Sequence, residues 1–269
     1  MITELNGAVP KAPRLLTEER RREIAGILEQ QGRITVEEVK RRFSVSAVTA
    51  RSDLDALSAS GLLIRSHGGG IRPLDSGPDY PLKVRESMRH EEKVRIARAA
   101  VDLIRPSQTV ILCSGTTSAE IANQLRRSAL ENVAVITYAL NIAAKLVDSA
   151  NLSLIMIGGI LRQVSNAFVG PQAEAMMASL HADHLFLSAV GLDSEIGPTT
   201  IDILEAQLNS RMVRAAREVT VIADSSKLGQ RSLACITSLD HVHRIITDTA
   251  APASVVGKFR SAGIEVQTV

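Results

Sequence analysis

Between Ile34 and Ile71 the chain reads ITVEEVKRRFSVSAVTARSDLDALSASGLLIRSHGGGI, two short helical segments joined by a tight turn and followed by a glycine-rich hairpin. Thr35 stands where a helix N-cap belongs. Val36, Val39 and Phe43 then fall on one face, with Glu37, Glu38, Lys40, Arg41 and Arg42 on the other. Ser44 and Val45 make the turn. Ser46 caps the next helix, where Ala47, Ala50, Leu54 and Leu57 form an apolar stripe that Val45 and Leu62 join. After Gly61, LLIRSHGGG reads as a strand and a tight turn. Helix, turn, helix and hairpin in this order form a winged helix-turn-helix, which lays its last helix in the major groove of DNA.

The outer side of that last helix carries Val48, Thr49 and Ser52, with Arg51 at its flank. Methyl groups of such residues meet thymine methyls, and an arginine bridges guanine O6 and N7. Free N–H groups at Ser46 suit a phosphate, and Arg65, His67 and Gly68 on the wing are expected beside the backbone or minor groove. Charge permits this without arguing for it: residues 1–72 hold 12 Lys and Arg against 9 Asp and Glu, and the whole chain has a net charge of +2. Arg20, Arg21 and Arg22 read as a solvated face. The competing reading is a small helical bundle that binds protein or dimerises.

The 269 residues are enough for two domains, and 45% hydrophobic content fills a core with almost no aromatic residues, which are 2%. Residues 1–14 contain Pro10 and Pro13 and no periodicity, and are expected to be a disordered arm. Thr17 is expected to cap a first helix that ends at Gly32, so the DNA-reading domain spans 15–72. Residues 73–90, with their prolines and mixed charge, are expected to be a linker. From residue 91 to 269 helical segments alternate with β-branched runs: TVILC at 109–113, VAVIT at 133–137, LSLIMI at 152–157, HLFLSAV at 184–190, VTVIAD at 219–224 and HRIITD at 243–248, with EVQTV at 265–269 as a further strand. Apolar runs without polar alternation are strands buried on both faces. The fold class is therefore α/β, a mostly parallel sheet flanked by helices.

No apolar run reaches the roughly 18 residues of a membrane span. The first residues lack a basic start followed by an apolar block, so no signal peptide is expected. Cys113 and Cys235 form neither a CxxC pair nor a metal spacing, and a reducing, cytoplasmic setting without metal or other cofactor fits them.

The run TVILC passes into Ser114, Gly115, Thr116 and Thr117 and then a helix. This arrangement of strand, small-residue turn and helix N-terminus favours an anion. It lacks the GxxxxGK[ST] of a nucleoside triphosphate loop. Polar loops containing Asn141, Gly158 to Arg162, Gly170 to Glu174, Gly191 to Asp193, Gly197 to Thr200 and Asp224 to Lys227 follow the later strands. In an open α/β sheet such loops converge on one cleft, where Arg162 and Lys227 would supply positive charge.

With these residues in view, VSAVTARSDLDALSASGLLIRSHGGGI resembles the signature of DeoR-type bacterial regulators, keeping Val45, Ser46, Thr49, Arg51, Asp53, Leu54, His67, Gly68 and Gly69 and departing at Ser52, where a second Arg is usual. The resemblance extends over residues 17–269. Segments similar to SGTT, TNSLN, LGGxLR, VGPxAE, GxDGID, GLTT and ADSSK all have counterparts, SGTT and ADSSK most closely. It implies a C-terminal domain similar to ribose-5-phosphate isomerase. Ser114, Gly115, Thr116 and Thr117 would cradle a phosphate, Lys227 would face the ligand, and Asn141 and Asp193 would stand in the cleft. The chain departs from the family at Cys113, at Tyr138 with Ala139, and at Val190. Each replaces a polar group that would meet sugar hydroxyls.

The resemblance implies a transcriptional regulator, a repressor of a carbohydrate operon, that binds duplex DNA as a homodimer or homotetramer and is relieved by a phosphorylated sugar. The rival reading is a sugar-phosphate isomerase, with Glu205 as the base and Asp193 in its loop. Val190 in place of Asp, and Glu195, Ile196 and Gly197 where the isomerase has Lys-Gly-Gly, remove two polar members of that constellation. Binding without turnover is therefore expected, with no catalytic residues. A protein–protein adaptor is the third class.

Overall fold

The computed structural model describes residues 16–60, 62–66, 68–71 and 82–269, leaving out the side chains of Ile64, Ser66, Ile71, Lys83 and Val84. The chain divides into two compact units, Met1–Leu74 and Asp75–Val269.

The first unit runs α1 (Thr17–Gln31), β1 (Arg33–Thr35), α2 (Val36–Phe43), α3 (Ala47–Ala59), β2 (Ile64–Ser66) and β3 (Gly69–Ile71). Thr17 opens α1 as its first helical residue and does not cap it. The Glu19 carboxylate instead accepts the Leu16 N–H at 2.9 Å. Thr35 and Ser46 cap as expected, accepting the N–H of Glu38 and Thr49, each at 3.1 Å. Of the stripe read from the spacing of α3, Ala50 and Leu54 are fully buried, Leu57 nearly so and Ala47 half-buried, and Ile24 of α1 and Val39 of α2 are fully buried as well. The three strands form an antiparallel sheet in the order β1-β3-β2. Strand β1 has no counterpart in the sequence reading. A Cβ on Gly69 would lie 2.3 Å from the Ile34 carbonyl oxygen, so this pairing requires glycine there. His67, expected on the wing, lies outside the described residues.

The second unit begins with α4 (Leu82–Ser87), within the segment expected to be a linker, and α5 (His90–Val101). Then follow β4 (Thr109–Leu112), α6 (Thr116–Leu125), β5 (Val133–Thr137), α7 (Leu140–Leu146), β6 (Leu152–Met156), β7 (Ile160–Arg162), β8 (Ala167–Val169), α8 (Pro171–Met177), β9 (Ala182–Ser188), β10 (Gly191–Asp193), β11 (Gly197–Thr200), α9 (Ile203–Ala215), β12 (Ala216–Ile222), β13 (Ala234–Cys235), β14 (Arg244–Thr247), α10 (Ala253–Ser261) and β15 (Glu265–Thr268). A seven-stranded, wholly parallel sheet has the order β15-β14-β12-β9-β4-β5-β6.

Its core divides by residue parity. Val110, Leu112, Val135, Phe186 and Ile246 join one cluster, while Ile111, Ile136, Leu185, Leu187 and Ile245 join the other. Both faces are covered, so the strands carry no polar alternation. Two smaller elements, the antiparallel sheet β10-β11-β13 and the hairpin β7-β8, replace what the sequence presents as loops. No helix among the described residues is long and apolar enough to cross a membrane.

Candidate functional site: a helix face and a cleft at the switch point

In the first unit α3 keeps Val48 at 74% exposure, with Arg51 and Ser52 also exposed and Thr49 half-buried. Ser46 and Thr49 hydroxyls lie 2.9 Å apart at the start of the helix. Arg51 has no ion pair among the described residues, so its charge faces solvent. On the same helix Asp53 is 1% exposed and clamped by Arg20 at 2.6 Å and Arg21 at 3.1 Å. Two of the three arginines read as a solvated face are therefore structural, and they fix α3 against α1. Arg65 is held within the unit, its Nε 2.8 Å from Asp55 and its Nη1 donating to the Gly69 carbonyl at 2.6 Å. Gly68 takes a positive φ of 84° at the wing tip, and its carbonyl accepts the Val36 N–H at 2.8 Å.

In the second unit the chain leaves β4 toward β5 and β6, then returns to lay β9, β12, β14 and β15 on the other side. The direction reverses between β4 and β9. Beyond the carboxyl ends of such a pair an open α/β sheet has its crevice. The Ser114-Gly115-Thr116-Thr117 turn stands there and leads into α6, whose first N–H groups have no intrahelical acceptor. Gly115 has φ 136°, and a Cβ on it would meet the Ser188 Oγ at 2.8 Å. Ser118 and Ser188 hydroxyls, 2.9 Å apart, join the first turn of α6 to the end of β9.

Ser114, Thr116 and Thr117 are buried among polar neighbours. Tyr138 Oη donates to Asn209 Oδ1 at 2.8 Å, and Ser114 Oγ lies 3.0 Å from the same Oη. A phenol has one proton, so Ser114 is the donor in the second bond and keeps only its lone pairs for anything else. Burial pushes the Tyr138 phenol and the Cys113 thiol up, with Glu205 adding to both shifts, so each is neutral. Tyr138 and Asn209 were not read as a pair from the sequence, because 71 residues separate them.

The cationic residues expected to meet a phosphate differ in their surroundings. Arg162 is engaged by Asp202 at 2.9 Å, Ser165 at 3.1 Å and Glu205 at 3.5 Å, so its charge is already met by two carboxylates of the α9 N-terminus. Lys227 ends a short 3-10 turn, Ser225–Lys227, half-buried and without an ion pair among the described residues. Asp193 is buried, with its oxygens held by Arg231 at 2.7 and 3.0 Å and by the N–H groups of Glu195 and Ile196. Arg231 first and these turn bonds next depress its pKa. It is thereby the corner residue of the β10–β11 turn. Asn141, at the start of α7, has both amide atoms buried without a partner among the described residues. Glu205 accepts Ser165 at 2.5 Å, and its pKa is raised by burial, which outweighs that bond and Arg162. Ser165 and Arg85, which also belong to this polar cluster, carry no local sequence signal.

Two family models match the chain: the DeoR-like helix-turn-helix domain over residues 20–73 and the DeoR C-terminal sensor domain over residues 88–249. The putative aga operon transcriptional repressor of Escherichia coli O157:H7 is 37% identical over 93% of this chain and 93% of its own length. The HTH-type transcriptional regulator GolR of Listeria innocua is 32% identical over 93% of this chain and 97% of its own. Among solved structures, a D-ribose-5-phosphate isomerase in complex with phospho-erythronic acid aligns with a TM-score of 0.39 at 13% identity, covering 51% of this chain and 53% of that one.

Proposed function

The chain belongs to the DeoR family of helix-turn-helix transcriptional regulators, and from that premise we propose that it represses a carbohydrate operon and releases its operator when a phosphorylated sugar fills the second unit. It is a regulator and not an enzyme, as its named relatives are. Residues 15–72 read DNA, residues 91–269 sense the effector, and residues 73–90 connect them. The single observation that supports the sensor reading most is the Ser-Gly-Thr-Thr turn at the reversal between β4 and β9, where it leads into the N-terminus of α6 and its free N–H groups.

In this reading Val48, Thr49, Arg51 and Ser52 contact base edges, and Ser46, Arg65, His67 and Gly68 lie along the backbone. Gly115, Thr116 and Thr117 hold the phosphate with Lys227, while Asn141 meets a sugar hydroxyl. Ser114 shapes the turn as an acceptor. Arg162 orders the carboxylates beside it, and Asp193 holds the adjoining turn. The protein acts in the cytoplasm as a homodimer or homotetramer, since paired reading heads match paired half-sites. Effector and operator oppose each other through a coupling of about 1–3 kcal/mol.

A gel shift on the DNA upstream of the gene, repeated with a panel of sugar phosphates, tests the whole. Specific retardation relieved by one of them is expected. Thr116→Glu, which places a carboxylate in the cradle, is expected to keep retardation and lose relief. Preference for no genomic fragment over random duplex overturns the proposal, and relief that survives Thr116→Glu moves the pocket elsewhere.

A further inference from the structure

We infer that Arg85 is a ligand-contacting residue: its Nε–H meets an anionic oxygen of the molecule in the cleft, so α4 takes part in the effector site of the second unit. The inference rests on the effector reading of the second unit.

Buried polar groups in native proteins almost always find partners, so a buried donor without one needs a reason. Among the described residues the side-chain atoms in that position include Arg85 Nε and both amide atoms of Asn141. Among the described residues Arg85 makes one long bond, Nη2 to the Val164 carbonyl at 3.5 Å. Burial lowers its pKa, with Glu205 the largest opposing influence. A guanidinium held this way is poorly compensated for the water it lacks.

Both residues hang on the same turn, that of the β7–β8 hairpin. Val164 accepts Arg85, Ser165 donates to Glu205, and the Asn166 carbonyl accepts the Leu140 N–H at 2.8 Å, one residue before Asn141. The segment behind Arg85 is firmly fixed. Lys93, 5% exposed, donates to the carbonyls of Arg85 and Met88, and Arg89 lies 3.6 Å from Asp224. The backbone is anchored while the planar fork keeps a free donor. A guanidinium donor and an amide with both a donor and an acceptor match an oxyanion carried on a polyol. Arg85 lies on α4, the first helix described in the second unit, so a ligand that takes this donor engages the start of that unit.

The test uses the full chain with inorganic phosphate and, separately, ribose 5-phosphate as probes. Thermal shift and calorimetric titration are run on wild type, Arg85→Gln and Thr116→Glu, with circular dichroism to confirm folding. Arg85→Gln is expected to bind the probes about tenfold more weakly or worse, as loss of a charge-assisted hydrogen bond requires. Where Arg85→Gln does not fold, Arg85→Lys, a cation without the planar fork, carries the same expectation. If the wild type binds a probe, Thr116→Glu loses it and the Arg85 variants keep wild-type affinity, the pocket stands and Arg85 is not in it. If the wild type binds neither probe, the pocket reading fails and this inference falls with it.

Discussion

Arg20 on α1 lies 2.6 Å from Asp53 on α3, and the ion pair is buried at both ends, with 10% and 2% of the side chains exposed. Arg21 takes the other oxygen of the same carboxylate. The carboxylate faces the first helix, while Val48, Arg51 and Ser52 stay in solvent on the same α3, so the pair sets the rotation of that helix about its axis.

Removing one partner of a buried pair leaves an uncompensated charge. Asp53→Ala is therefore expected to destabilise the first unit by about 3 kcal/mol or more, and to weaken operator binding although Asp53 touches no DNA. Urea unfolding of the two chains side by side measures it. A midpoint equal to that of the wild type would show that the arginines find equivalent partners elsewhere.

Arg51 is exposed and carries no ion pair among the described residues, so its loss has no folding cost to confuse the reading. Arg51→Ala is expected to leave thermal stability within about 0.5 kcal/mol and to cost about 1–3 kcal/mol of operator binding, with sequence preference relaxed at one position. Fluorescence anisotropy on matched and singly mismatched duplexes checks both. An unchanged affinity removes Arg51 from the interface.

Tyr138 ties Ser114 to Asn209 through one phenolic oxygen. Tyr138→Phe deletes both bonds and leaves the Asn209 Oδ1 buried without its donor, a loss of about 1–3 kcal/mol in stability. It also frees the Ser114 proton to donate into the turn. Stability is expected to fall while affinity for a phosphate ester rises. Unfolding and calorimetric titration on the same sample follow the two quantities. A fall in both would show that Ser114 does not face the ligand.

His184 is buried, its ring stacked on Phe186 at 4.3 Å and its Nε2 2.7 Å from the Thr220 hydroxyl. Burial first, with Arg244 and His243 adding to it against Glu218, pulls its pKa down to about 4. The unfolded chain takes up the proton near pH 6.5 and the folded one only near 4. The unfolded state therefore binds more protons across that window, and stability drops as pH falls through it. The drop is expected to be about 3 kcal/mol, and His184→Gln is expected to abolish it. Denaturant midpoints from pH 7 to pH 4 for both chains decide the matter. Parallel pH profiles assign the acid sensitivity to other groups.

Features that depend on neighbours in the chain were legible without coordinates. Thr35 and Ser46 cap because each oxygen reaches an N–H three residues on. The β-branched runs announce buried parallel strands because both faces of the sheet are covered. The turn at Ser114 to Thr117 is a contiguous motif whose glycine sits where a Cβ would collide with Ser188.

Other features were settled by pairing across long stretches. Asp53 finds Arg20 33 residues away, Arg162 finds Asp202 40 away, Asp193 finds Arg231 38 away, and Tyr138 finds Asn209 71 away. None of these spacings has a period that a pattern could carry. The strands of β7-β8 and β10-β11, three or four residues long, are likewise too short to declare themselves, and β11 is made only of Gly, Pro and Thr. Which charges serve the fold and which remain free for a ligand was therefore decided by strand order, which brings the ends of β4 and β9 together, because a charged group takes whichever partner the packed chain sets beside it.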